Sequence, residues 1–413
     1  MATIRPFRAF RPKPELAGEI AAKPYDVLTS EEARHEAQGH PYSFLHVGKP
    51  EIDLDRSIDL YDNRVYAKAK ENLDKLIREK IILQDAEPYL YLYAQTMNGH
   101  AQYGLVGCAS IEEYDSGRIK KHELTRKDKE EDRCNHIRVT NAHTGPVFLT
   151  YRDVAGIDAI VDKIKRNPPD NDHVAADDIR HQSWVIKNKK TIAELRDLFG
   201  KVPHLYVADG HHRTAAAATV GRERKAANPK HRGDEEYNFF LAVFFPASQL
   251  QILDYNRVVR DLNGLTTDRF LDAIRKNFSI RDSSLPVKPA KKGEVGMYVG
   301  KQWCVLQARD EIMKSSDPVL HLDVSILQNY LLEPVLGIKD LRTDKRIDFV
   351  GGIRGLGELE RRVDSGEMKV AFSLHPTSVI ELVSIADAGK LMPPKSTWFE
   401  PKLRDGLFTH FLV

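Results

Sequence analysis

The run Leu205-Tyr-Val-Ala-Asp209-Gly210-His211-His212-Arg213-Thr214, followed by the four alanines 215–218, constrains this chain more than any other stretch. Its apolar start has the length of a buried strand, and its alanines favour a helix over every alternative. Gly210 sits where the two must turn. Without a Cβ it accepts a positive φ or the close approach of a ligand. The helix that follows aims its unpaired N–H groups and its positive end back at that turn. An anion is favoured there, and two imidazoles and a guanidinium side by side add donors, so phosphate is the expected ligand. Gly210, His211, His212, Arg213 and Thr214 are therefore the candidate phosphate- or nucleotide-binding residues. Asp209 needs its own account, because a carboxylate beside a phosphate is repelled. It can hold a metal ion, orient a histidine, or take a proton from an attacking hydroxyl. A helix cap is worth only about 1 kcal/mol and would explain one residue of the five.

Around this turn the chain alternates between strand and helix patterns, which predicts an α/β or α+β fold with a mixed sheet. Ile4 to Phe10 reads as a short strand or extended arm. Asp26 follows Lys23-Pro24-Tyr25 on a loop, as either a functional or a turn-stabilising carboxylate. Pro41 to Val47 reads as strand-like, and Tyr61 to Lys80 as an amphipathic surface helix. Asn98-Gly99 between two alternating runs, from Tyr89 and to Ala109, is the strongest hairpin signal. A charged helix through Arg133 and His136 ends before Gly145-Pro146 and an apolar strand at Val147 to Thr150. Phe239 to Phe245 and Ile252 to Val259 read as further strands, and a third region begins near Leu265. The chain closes with Leu391-Met-Pro-Pro-Lys395-Ser396-Thr397-Trp-Phe-Glu-Pro-Lys402, whose prolines forbid regular structure. Such a loop is expected to pack against a site, with Lys395, Ser396 and Thr397 as candidate substrate contacts.

At 413 residues two or three compact units are expected. The expected division is 1–100 for an N-terminal α/β region, 101–262 for the phosphate-binding core and 263–413 for a C-terminal α/β region. The 62 basic and 60 acidic residues leave a net charge of +2, which demands no nucleic acid. The balance of 41% hydrophobic and 30% charged residues is that of a globular protein. Cys108, Cys134 and Cys304 are scattered, without metal-ligand spacing, and fit reduced thiols in a cytoplasm. The N-terminus lacks an apolar signal region and no run reaches the length of a bilayer span, so a cytosolic location is expected and a membrane is not.

With these residues laid out, Lys23-Pro-Tyr-Asp-Val27, Ser43-Phe-Leu-His-Val47 with Lys49-Pro-Glu51, His122-Glu123, Asp209-Gly-His-His-Arg213 and Met392-Pro-Pro-Lys-Ser-Thr397 resemble the family of domain of unknown function 1015, essentially end to end. The part from about Tyr103 to Val259 is similar to ParB-like and sulfiredoxin-like domains, and among them to the free-serine kinases. Those kinases carry a His-Glu pair after an early strand and an Asp-Gly-His-His-Arg turn later. This chain differs in spacing, with Pro146 to Lys201 lying between the two motifs. The resemblance implies a ParB/sulfiredoxin-like catalytic core with the N- and C-terminal regions packed around it. It further implies phosphoryl transfer to the hydroxyl of free L-serine, giving O-phosphoserine.

In that reading Glu123 is the base, the turn from Asp209 to Arg213 meets the donor's phosphates, and His122 and Asp26 are candidate substrate contacts. ATP or ADP is the expected donor and Mg²⁺ the expected ion, with Asp209 as its first ligand candidate. No Gly-x-x-x-x-Gly-Lys-Ser/Thr loop and no protein-kinase signature is present. Two other functions compete: a ParB-like nucleotide-dependent binding switch, which requires a basic DNA-reading element, and a phosphatase that passes the phosphoryl group of phosphoserine to water.

Overall fold

The computed structural model describes residues 2–413. The described chain forms two compact units, one of residues 2–250 with 401–413 and one of residues 251–400. This differs from the expected three-way division: residue 100 falls inside a hairpin of the first unit, and the last thirteen residues return to it.

The first unit is built on an eight-stranded mixed sheet. In chain order its strands are β1 (Leu90–Met97), β2 (His100–Ser110), β3 (Ile119–Lys120), β4 (Val147–Tyr151), β5 (Asn171–Val174), β6 (Arg180–Ile186), β7 (Leu205–Asp209) and β8 (Phe239–Pro246). Across the sheet the order is β3-β7-β4-β8-β2-β1-β6-β5. β3 runs parallel to β7 and β4 parallel to β8, while the remaining pairs are antiparallel. The central strands β4 and β8 are covered on both faces, which is why they read as unbroken apolar runs. β1 and β2 form the expected hairpin. Asn98 at φ 51° and Gly99 at φ 79° both take the left-handed conformation that a two-residue turn of this hand requires.

Three helices matter for the site. α1 (Asn63–Arg78) buries Val65, Tyr66, Ala69, Leu73 and Leu76 and is tied to α2 (Lys127–Thr140) by the Tyr66 hydroxyl, which donates to Asp132 at 3.0 Å. α3 (His211–Ala227) follows β7 directly, and its alanines pack into the core.

Three local expectations fail. The run 391–402 is not free of regular structure: Trp398–Glu400, between its prolines, forms a strand antiparallel to Gln251–Leu253. Pro41 to Val47 is not a strand: Leu45–Gly48 forms one helical turn, with Phe44, Leu45 and Val47 buried. A run this short, closed off by Gly48 and Pro50, has no periodicity that separates a turn of helix from a strand. Ile252 to Val259 is not one strand but two, Gln251–Leu253 and Tyr255–Val259, divided at Asp254, whose carbonyl accepts from the Gly352 N–H at 2.7 Å.

The second unit contains a six-stranded antiparallel sheet. Its order is Phe278–Ser283, Gln302–Ala308, Glu294–Val299, Val370–Leu374, Tyr255–Val259 and Ile347–Gly351. Val258, Ala371, Tyr298 and Trp303 cluster with Leu359 of the helix Leu356–Asp364. No helix among the described residues is long and apolar enough to cross a membrane.

Candidate active site

β3 and β7 are parallel neighbours, with Ile119 opposite Leu205 and Lys120 opposite Tyr206. Chain segments leaving two such strands emerge at the same end of the sheet, and ligands commonly gather at that end. After β3 the chain continues into His122-Glu123, and after β7 into Asp209-Gly-His211. The two segments meet: the rings of His122 and His211 pack edge to face with centroids 4.5 Å apart. One donor atom from each of His122, Glu123 and His211 lies within 4.8 Å of the others.

The turn itself has the geometry its residues predict. Gly210 sits at φ 88° and precedes the first residue of α3, with no side chain capping the helix. A register shift between Val207 and Asp209 against β4 marks a bulge just before the turn, and bulges re-aim the side chains beside them. Asp209 Oδ1 accepts from the Gly210 N–H at 2.8 Å, and Oδ2 accepts from Lys402 Nζ at 2.8 Å. The surrounding protein would raise the Asp209 carboxyl, but Lys402, the Gly210 N–H and His211 together bring it down to about 2. Its side chain keeps 38% of its exposure, so a ligand can reach it.

His122 and His211 are 2% and 8% exposed. Burial lowers His122 to about 4 against the weaker pull of Asp209 and the Val207 carbonyl. It also holds His211 well below the ordinary histidine value, helped by His122. Both imidazoles are therefore neutral at neutral pH. Neither nitrogen of His122 finds a hydrogen-bond partner of good geometry, and neither does Nε2 of His211. His212 is half-buried, and its Nε2 accepts from the Arg126 N–H at 3.0 Å. Thr214 turns inward, fully buried, and its hydroxyl donates to the Gly210 carbonyl at 3.0 Å.

Arg213 is engaged by a carboxylate of the chain itself. Its Nη1 and Nη2 each donate to Asp405 at 2.8 Å, a bidentate pair, and Nη1 also reaches the Pro146 carbonyl at 3.2 Å. Burial opposes the guanidinium's charge, but Asp405 and Asp26 more than offset it and keep Arg213 protonated. A Cβ on Gly145 would lie within 2.3 Å of both Arg213 Nη1 and Asp405 Oδ1, so the pair fits only because position 145 is glycine. The backbone of Asp405 is fixed by two hydrogen bonds with Ala22, at 2.9 and 3.1 Å. Those bonds bring the 23–26 loop to the same place. The Tyr25 ring lies 4.0 Å from the Arg133 guanidinium and 5.4 Å from that of Arg213. Lys49 Nζ donates to the Tyr25 carbonyl at 3.4 Å and pairs with Glu51 at 3.0 Å. A small cavity lined by Arg133, His136, His143, Arg213 and Asp405 lies behind the pair.

The structure thus gathers His122, Glu123 and His211 beside the Asp209-Gly210 turn and brings Tyr25 and Asp26 of the 23–26 loop near Arg213. Lys395, Ser396 and Thr397 belong to the second unit. There Ser396 is buried, donates to the Pro393 carbonyl at 2.6 Å and offers its own carbonyl to Thr377, while Lys395 Nζ lies 5.7 Å from the centroid of the Tyr255 ring. Sequence reasoning did not single out Lys402 and Asp405, the partners of Asp209 and Arg213. Lys402 did stand at the end of the proline-bounded run flagged as site-facing.

Mg²⁺ prefers an all-oxygen shell. Here Asp209 already holds an ammonium, and Glu123 stands among imidazole nitrogens. The donor set does not fit magnesium. An anion at the uncapped start of α3 does fit, beside a glycine that leaves room for it.

The sequence matches, over residues 4–325, the family described as "Protein of unknown function (DUF1015)". No curated protein matches it. Among solved structures it is similar to a free serine kinase in complex with AMP, at 11% identity over 71% of this chain and 86% of that one, with a TM-score of 0.35. A conserved hypothetical protein from Pyrococcus furiosus is similar at 12% identity over 75% and 97%, with a TM-score of 0.36. SbnI with a C-terminal truncation, from Staphylococcus aureus, is similar at 11% identity over 73% and 85%, with a TM-score of 0.37. With nearly four-fifths of its length matched, the chain belongs to the DUF1015 family.

Proposed function

We propose that the protein is a small-molecule phosphotransferase that moves a phosphoryl group from a nucleotide, ATP or ADP, to the hydroxyl of free L-serine. One observation carries the reading: His122-Glu123 and Asp209 to His211, far apart in the chain, leave the same end of two parallel strands and stand in contact. A carboxylate and an anion-binding helix start are the two things that phosphorylating an alcohol requires. Serine as acceptor and a nucleotide as donor rest on the resemblance of these two motifs to the free-serine kinases.

The roles divide as follows. The donor's phosphates lie against Gly210 and the start of α3, where N–H groups and the helix dipole meet developing negative charge. Lys402 neutralises Asp209, which would otherwise repel them. The Lys402 ammonium and the Gly210 N–H that hold Asp209 in its charged form also weaken it as a base, so we assign the proton to Glu123. The serine oxygen attacks the terminal phosphorus, its proton passes to Glu123, the anhydride P–O bond breaks, and the shortened nucleotide leaves. Arg213 acts through Asp405, fixing the turn and the 23–26 loop, and Asp26 on that loop is the carboxylate we assign to the serine ammonium. Lys395, Ser396 and Thr397 have no part in this assignment.

Incubating the purified protein with serine and ATP, ADP or pyrophosphate, with mass spectrometry of the products, tests the reading. O-phosphoserine from a nucleotide is expected. Its absence with every donor would end it, and release of serine from phosphoserine alone would favour the phosphatase.

A further inference from the structure

We propose that His122, Glu123 and His211 form a binding site for a divalent transition-metal ion of the zinc class, and that the bound ion holds off phosphoryl transfer by occupying the carboxylate that takes the proton. The first half stands on the residues alone; the second rests on the phosphotransfer reading.

Two imidazoles and one carboxylate are a set that binds zinc in sites with a position left open for water or substrate. Here the donor atoms already lie within 4.8 Å of one another. Bonds of about 2.0 to 2.1 Å put tetrahedral ligands roughly 3.4 Å apart, so binding asks for a closure of at most about 1.5 Å. Both imidazoles are more than nine-tenths buried, yet three of their four nitrogens lack a hydrogen-bond partner of good geometry among the described residues. Buried polar atoms are rarely left so, and three within one cluster call for an occupant that accepts nitrogen donors. Magnesium is the wrong occupant for imidazole, whereas zinc, cobalt and nickel suit it. The two histidines come from different strand ends and face each other only in the fold, which is why the spacing of the sequence gives no metal signature.

An oxygen of Glu123 bound to the ion is withdrawn from proton transfer, since its lone pair is donated to the metal. Occupancy of the site and general-base action by Glu123 are therefore alternatives.

The test uses the full chain, stripped with a chelator and then titrated with Zn²⁺ by calorimetry and with Co²⁺ by visible absorption. One ion per chain is expected, with the Co²⁺ spectrum of a low-coordinate site. Glu123→Gln keeps the side chain's size and is expected to weaken Zn²⁺ by at least roughly 100-fold, because even outer-shell changes at metal sites cost about 10 to 100-fold. His211→Ala, checked for folding by circular dichroism, is expected to lose the Co²⁺ spectrum. No stoichiometric binding, or binding unchanged in both variants, overturns the site. Stoichiometric Zn²⁺ is expected to suppress phosphoserine formation. If turnover instead requires the ion, the inhibitory role is wrong while the site and the transfer reaction stand. If the ion binds but no phosphoserine forms under any condition, the transfer reading falls and the site remains.

Discussion

Lys402 Nζ donates to Asp209 Oδ2 at 2.8 Å, joining the last thirteen residues of the chain to the tip of β7. The contact makes the carboxylate at the phosphate turn electrically neutral from outside. Lys402→Met is expected to leave Asp209 charged beside the donor and to weaken nucleotide binding roughly 10 to 150-fold, the range of a lost charge-assisted contact of about 1.5 to 3 kcal/mol. Adding Asp209→Asn to that variant removes the repelling charge and should restore most of the affinity. Calorimetry on the single and double variants decides it; an Asp209 that served as a metal ligand would give further loss, not rescue.

Arg213 and Asp405 form a buried bidentate pair, and breaking it from one side strands a charge in the interior. Arg213→Ala and Asp405→Ala are each expected to cost about 3 to 5 kcal/mol, with the double variant costing much less than their sum. Gly145→Ala inserts a methyl group into the same space and should destabilise by about 1 to 3 kcal/mol through overpacking. Urea denaturation measures all four variants. Additive losses for the pair would show that the two side chains do not act on each other.

Five buried imidazoles set the acid limit of stability. His122 and His136 are lowered to about 4, and His143, His181 and His211 are held well below the ordinary histidine value, in every case chiefly by burial. An unfolded histidine titrates near 6.5, so below that pH the unfolded chain binds protons that the folded chain refuses. Their stabilisation is complete above about pH 6.5 and falls as the pH drops, by about 1.4 kcal/mol per pH unit for each excluded proton. His46, raised by its hydrogen bond to Asp53, contributes stability that is complete below about pH 6.5 and is lost only as the pH rises above it, so it leaves the acid side unchanged. The urea midpoint is therefore expected to fall steeply between pH 6.5 and 5. A flat profile there would mean that these rings protonate in place.

Much of this was legible in the chain because the signals were local. The apolar run, the glycine and the alanines at 205–218 dictate a strand, a left-handed turn and a helix in that order, and Asn98-Gly99 dictates a hairpin. The strands Phe278–Ser283 and Ile347–Gly351 went unread because polar residues interrupt them, and Gln302–Ala308 because the turn before it, Gly300-Lys301, lacks the Asn-Gly signature although its residues take φ 58° and 64°. The partners of the site were hidden for a different reason. Lys402 and Asp405 act across about 190 residues of sequence, and apart from the place of Lys402 at the end of the proline-bounded run nothing local distinguishes them from other charged residues near a chain end. The contact between His122 and His211 likewise depends on β3 lying beside β7, a pairing of only two residues on the short strand.

The central claim is that Glu123 takes the proton while Asp209 only shapes the phosphate turn, and turnover of Glu123→Gln beside Asp209→Asn tests it most directly. With serine and the preferred donor, Glu123→Gln is expected to lose about 10² to 10⁴ in turnover while its donor dissociation constant stays near that of the parent. Asp209→Asn should keep most of its turnover. A Glu123→Gln protein that turns over at the parental rate, with the loss falling on Asp209→Asn instead, would contradict the account.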